Sequence, residues 1–161
     1  MVATEQIPHM LSIPTTLLAR LHAHLEIGYP HEACGILIGD INGDRKIVKD
    51  VVLVENKWAD EAANDLRGRS GDESLANRFL ISPEDIARAD RDAGKRGLDI
   101  IGFFHSHPDH PSRPSETDRA FAWPVIAFVI TSVLDGKAAT TQSWVLRDDR
   151  EAFDEEVISV T

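Results

Sequence analysis

Two histidines one residue apart, in His105-Ser106-His107-Pro108, are followed in the same segment by Ser115-Glu116-Thr117-Asp118. If residues 98–107, LDIIGFFHSH, form a strand, positions 105 and 107 project from one face and set two imidazoles side by side at its end. The proline-stiffened stretch PDHPSRP then returns the chain to a short helix over 115–123, whose first turn carries Asp118. Two imidazoles and a carboxylate make a three-ligand set with a fourth position left for water, the arrangement of a catalytic zinc. Such an ion lowers the pKa of water from about 16 to about 7, but the proton still needs an acceptor that is not itself a ligand. Glu32, in Pro30-His31-Glu32-Ala33-Cys34-Gly35, is the candidate for that base.

The elements that must position these groups read as follows. Residues 10–13 are a short apolar piece, and a helix over 14–27 presents Leu18, Leu21 and Leu25 as a stripe before Gly28 and Pro30 end it. Residues 33–40 and 45–56 read as two strands of a hairpin turning at 42–44, so Glu32 stands at the entry to the first long strand. The polar stretch 57–77 has little periodicity and is expected to be a long exposed loop. Ser82-Pro83-Glu84-Asp85 is a helix start, and Gly97 is a natural stop just before the strand at 98–107. That strand is apolar throughout, as expected when both faces are buried. Two more strands follow at 125–133 and 139–148, and the tail, which alternates acidic and apolar residues, is ambiguous. Strands interleaved with helices in this order predict an α/β fold with a mixed sheet flanked by helices, in a single domain over residues 1–161.

An early Glu followed by His-x-His-x₇-Ser-x-x-Asp resembles the motif of the JAMM (MPN+) zinc metalloproteases. The flanking Pro30-His31-Glu32-Ala33-Cys34-Gly35 and Ile101-Gly102-Phe103-Phe104 resemble the stand-alone bacterial members of that family, and the order of elements matches over most of the chain. The resemblance implies a mostly antiparallel, cytidine-deaminase-like fold and one zinc per chain on His105, His107 and Asp118. It also implies hydrolysis of a peptide or isopeptide bond by metal-activated water, with Glu32 moving the proton and Ser115 helping to hold the oxyanion. After Asp118 the sequence has neither His nor Cys, so the second zinc-bearing insertion of the larger deubiquitinating relatives has no counterpart. The compact layout resembles peptidases that trim the C-terminus of small ubiquitin-like sulfur-carrier proteins, which makes such a protein the expected partner. Relatives that have lost the ligands serve as non-catalytic scaffold or binding modules, and that is the alternative function.

Plainer readings stand beside these. Paired histidines at a strand end can be simple polar edge residues, and Ser115-x-x-Asp118 resembles a capping box with Asp in place of Glu, a role compatible with ligation. Glu32 by residue type alone is an ordinary exposed carboxylate, and Cys34 in its apolar run reads as a small core residue. His31 and His110 are expected to be solvated, Trp58, Trp123 and Trp144 to be packing residues, while His22 and His24 diverge on their helix.

Composition narrows the class further. Seventeen basic against 27 acidic residues give a formal charge of −10, which disfavours nucleic acid and anionic membranes as partners. The opening MVATEQIPHM lacks the pattern of a signal peptide and no apolar run is long enough to span a bilayer, so a cytoplasmic location is expected. With one cysteine the chain forms no internal disulfide and lacks the Pro-Cys-x-x-Cys of a zinc deaminase. His31-Glu32-Ala33-Cys34-Gly35 carries glycine where a zincin needs its second histidine. Oligomeric state has no signature in the sequence.

Overall fold

The computed structural model describes residues 9–58 and 78–161. The loop expected at 57–77 therefore lies, apart from residues 57 and 58, outside the described residues. In chain order the elements are β1 (Met10–Ile13), α1 (Thr15–Gly28), β2 (Cys34–Asn42), β3 (Arg45–Val54), α2 (Pro83–Lys95), β4 (Asp99–Pro108), α3 (Glu116–Phe121), β5 (Ala127–Leu134), β6 (Lys137–Leu146) and β7 (Phe153–Val160).

The strands pair in the order β1-β3-β2-β4-β5-β6-β7, and β7 returns to β1. Ladders β1–β3, β1–β7 and β4–β5 are parallel and the other four antiparallel, so the sheet is mixed as expected. The expectation of a sheet merely flanked by helices needs correction, because this one closes on itself. The physical reason lies at the two ends of the chain. β1 is only four residues long yet donates both its edges, Leu11 standing opposite Lys46 on one side and Ile158 on the other. The ambiguous tail forms β7, which buries Glu156 and leaves Val157 and Val160 exposed, so its acid–apolar alternation does not mark the inward face. Closure removes the unpaired edges on which strands of other chains add.

Two apolar clusters sit on the two faces of the sheet. α1 packs against β3, β5 and β6, and its fully buried Leu21 and Leu25 join Leu37, Phe104 and Val129 in one cluster. α2 packs against β2 and β4, placing Ala89 and Ala93 with Ile36, Phe103 and Phe128 in the other. The start of α2 follows its sequence signal, with Asp85 N–H donating to Ser82 Oγ at 3.1 Å and Pro83 in the first turn. Where the sheet closes, Lys46 on β3 reaches past β1 to Glu156 on β7, 2.7 Å apart and nearly inaccessible, with Ser143 Oγ donating to the other Glu156 oxygen at 2.8 Å. Among the described residues no helix is long and apolar enough to cross a membrane.

Candidate metal centre

β4 runs between β2 and β5, and residues 101–108 are all buried. Strand periodicity sends His105 and His107 to one face and Ser106 to the other. The two Nε2 atoms lie 3.2 Å apart. Asp118 completes the group, its Oδ1 3.3 Å from His105 Nε2 and its Oδ2 3.2 Å from His107 Nε2. Glu32 Oε1 lies 3.9 Å from His107 Nε2, so all four side chains named from the sequence converge. Glu32, His105 and His107 also offer ligand atoms within 4.8 Å of one another, which makes Glu32 a geometric competitor of Asp118 for an ion.

Each side chain has an identifiable anchor. Ser106, facing away from the histidines, accepts Ala33 N–H on its Oγ at 2.9 Å while its own N–H donates to the Ala33 carbonyl, and this ties the Glu32 segment to β4. Asn56 donates to the Glu32 and Arg78 carbonyls and accepts from Trp58 and Leu80 N–H, holding four points of the chain with one amide. His24 donates to the Cys34 carbonyl at 2.9 Å. Gly35 must be glycine, since a Cβ there would fall 2.1 Å from the Phe104 ring. Asp118 is set by a complete capping box: Ser115 Oγ accepts Asp118 N–H at 3.0 Å and Asp118 Oδ2 accepts Ser115 N–H at 2.8 Å. The cap read from the sequence is thus present, and it aims the carboxylate at the histidines.

Protonation follows from these contacts. His107 Nδ1 donates to the Pro111 carbonyl at 2.8 Å, leaving a lone pair on Nε2. Burial opposes charge on His107, but the Asp118 carboxylate, the Pro111 carbonyl and Glu32 together hold it above the ordinary histidine range. His105 is buried more completely and is held below that range despite the same carboxylate. Asp118, although buried, is held far below the usual carboxylate range by the two imidazoles and the Ser115 N–H. Burial pushes Glu32 the other way, up to about 8, with Asp118 adding to the rise and His107 and Arg78 opposing it.

The donor set fits a divalent cation. The His107 Nε2 lone pair faces a carboxylate and a second imidazole nitrogen within 3.3 Å, and acceptors aimed at one another are stable only around a cation or a shared proton. Among the described residues, the buried side-chain atoms without a hydrogen-bond partner are Glu32 Oε2 and His105 Nδ1, and both belong to this cluster.

Several contributors went unread in the sequence. Phe79 stacks on His105 with 4.3 Å between ring centres, and nothing in the short apolar run Phe79-Leu80-Ile81 singles it out. Ser112 is buried, contacting Thr140 and Gln142 through its hydroxyl and accepting Trp144 Nε1–H at 2.9 Å on its carbonyl, beside the Pro111 carbonyl that holds His107. Trp123, expected in packing, is 55% exposed. His31 and His110 are exposed, as expected of solvated loop residues.

Comparison with known proteins identifies the family. The family described as prokaryotic homologs of the JAB domain matches residues 14–147. The chain belongs to that family, which bears out the resemblance drawn from its motif. A desampylase of Haloferax volcanii is 31% identical over 123 residues, spanning 76% of this chain and 76% of the relative. A desampylase of Pyrococcus furiosus is 28% identical over 82 residues, 50% of this chain and 55% of the relative. Among solved structures, a protein of Desulfitobacterium hafniense superposes with a TM-score of 0.75 at 29% identity, covering 94% of this chain and 93% of that one. A protein of Salinibacter ruber reaches 0.67 at 32% identity, covering 93% and 91%.

Proposed function

We propose that the chain is a zinc-dependent hydrolase of peptide or isopeptide bonds, acting in the cytosol on the C-terminus of a small ubiquitin-like or sulfur-carrier protein. The observation that carries this reading is the convergence of His105, His107 and Asp118 around mutually facing acceptor atoms, with a buried carboxylate beside them that has an oxygen to spare. The two desampylase relatives support hydrolysis at a ubiquitin-like modifier. The cytidine-deaminase likeness of the architecture belongs to the same reading.

In this reading His105, His107 and Asp118 hold one zinc. The ion, when bound, acidifies water and polarises a carbonyl. Glu32 takes a proton on the unpartnered Oε2 and delivers it to the leaving amine. Its desolvated position suits that work, because a carboxyl raised toward neutrality can both accept and return a proton. Ser115 Oγ accepts Asp118 N–H, and its hydroxyl hydrogen is available to donate to the oxyanion. His107 is kept in one tautomer by Pro111, and the ligand set is oriented before substrate arrives.

The test is a panel of Gly-Gly-terminated carrier proteins bearing C-terminal adducts, incubated with zinc-loaded protein with and without chelator. Chelator-sensitive release of the adduct from at least one carrier is expected. Zinc-replete protein that releases none of them would overturn the assignment and favour the non-catalytic scaffold.

A further inference from the structure

A cavity of about 530 Å³ adjoins the cluster, and Glu32, Ser115 and Asp118 form part of its wall. The rest is mainly apolar, including Ile86, Phe103, Phe128 and Trp123. At its border two large apolar side chains remain in water, Phe121 at 77% and Trp123 at 55% exposure. The Trp123 indole stands edge-on to Phe103, with 5.9 Å between ring centres, so its position is held by packing beneath it. An apolar concavity with a few convergent polar groups is the usual form of a ligand site, and contiguous exposed aromatics beside it mark a surface meant to be covered.

We infer that this cavity selects the substrate by accepting a large apolar side chain, aromatic or branched aliphatic, on the acyl side of the scissile amide. The inference rests on the hydrolytic reading above and deepens it. Glycines next to the cleaved bond have no side chains to hold, so grip must come from the residue preceding them. An extended chain advances about 3.3 Å per residue, so the residue before two glycines lies about 7 Å along the chain from the one that carries the reacting carbonyl. The cavity shares Glu32, Ser115 and Asp118 with the proposed reacting groups, and its apolar lining adjoins them. Trp123 and Phe121 are the specificity-determining residues, and their exposure in the substrate-free chain is the area the substrate covers.

The test uses zinc-loaded protein and peptides Xaa-Gly-Gly joined to aminomethylcoumarin, with Xaa as Phe, Leu, Ala or Asp. Phe and Leu should exceed Ala in kcat/KM by roughly 10- to 100-fold, the factor for burying one such side chain. Trp123→Ala and Phe121→Ala should each cut that ratio several-fold, and the double variant should bring it to within about threefold. Both residues are exposed, so folding is checked simply by the thermal midpoint. A second arm titrates the product acids Xaa-Gly-Gly into the zinc-loaded Glu32→Gln protein by calorimetry, which reads the cavity without turnover. The acids with Phe and Leu should bind more tightly than that with Ala by the same factor. Preferential binding without cleavage of any peptide would sink the hydrolytic reading and leave the cavity assignment standing. Cleavage at equal rates, equal or absent binding of the acids, or a preference untouched by both substitutions would overturn the cavity assignment.

Discussion

Replacing Glu32 by glutamine separates the catalytic reading from a structural one, because it should slow the enzyme and stabilise the metal-free chain at the same time. The side chain is only 5% exposed, and the substitution keeps its shape while removing its charge. If Glu32 moves the proton as proposed, its replacement should cost roughly 10²- to 10⁴-fold in rate. Stability runs in the opposite direction. Burial raises Glu32 from 4.5 to about 8, so the native metal-free chain keeps a proton that the unfolded chain gives up. The contribution of that proton to stability is complete below pH 4.5 and is lost as pH rises through about 8. The separation, 8 − 4.5, at about 1.4 kcal/mol per pH unit, sets the loss at about 5 kcal/mol, a large share of an ordinary folding free energy. Urea unfolding in chelator at pH 5 and pH 8, for the wild type and for Glu32→Gln, measures it. The wild type should weaken between the two pH values by several kcal/mol more than the variant, leaving the variant the more stable protein at pH 8. Parallel pH profiles, or a variant that is slower but no more stable, would refute the claim that an uncompensated buried carboxyl sits here.

Trp144→Phe removes the donor to the Ser112 carbonyl, so the loop whose Pro111 carbonyl holds His107 should loosen. Zinc affinity measured by chelator competition should fall roughly tenfold, and an unchanged affinity would show that the loop holds its shape without the indole. Lys46→Met leaves Glu156, 1% exposed, with an uncompensated charge, and should cost about 3–5 kcal/mol in urea unfolding. The double variant Lys46→Met/Glu156→Leu should recover most of that, and an equal loss in both would contradict the pairing. Cys34 is wholly buried and its thiol is pushed up to about 12, so iodoacetamide at pH 8 should label it only as fast as the chain unfolds. Faster labelling would rule out its core role.

Those parts of the fold that rest on local pattern were legible in the sequence. β4 announced itself because an apolar run buried on both faces ends abruptly in polar residues, and the starts of α2 and α3 did so through Ser82 and Ser115. The convergence of His105, His107 and Asp118 followed from strand periodicity and a helix cap, both short-range rules. What escaped was set by distant parts of the chain. Closure depends on β1 meeting β7 in parallel, a pairing across almost the whole sequence that no local alternation encodes. Lys46 is a buried charge on β3 whose partner, Glu156, arrives from β7 at the far end of the chain. Trp123 reads as core by residue type, yet the short helix before it leaves the indole at the cavity instead. The supports of the site, Asn56, Phe79 and Ser112, each act through a contact whose partner lies far along the chain or in an irregular segment.

The decisive measurement is zinc content by mass spectrometry after exhaustive dialysis, across single variants of the four converging residues. The wild type and Glu32→Gln should both retain about one zinc per chain. His105→Ala, His107→Ala and Asp118→Ala should each lose it while remaining folded. If Glu32→Gln were emptied and Asp118→Ala stayed loaded, the base and the third ligand would have to exchange places and the account would be wrong.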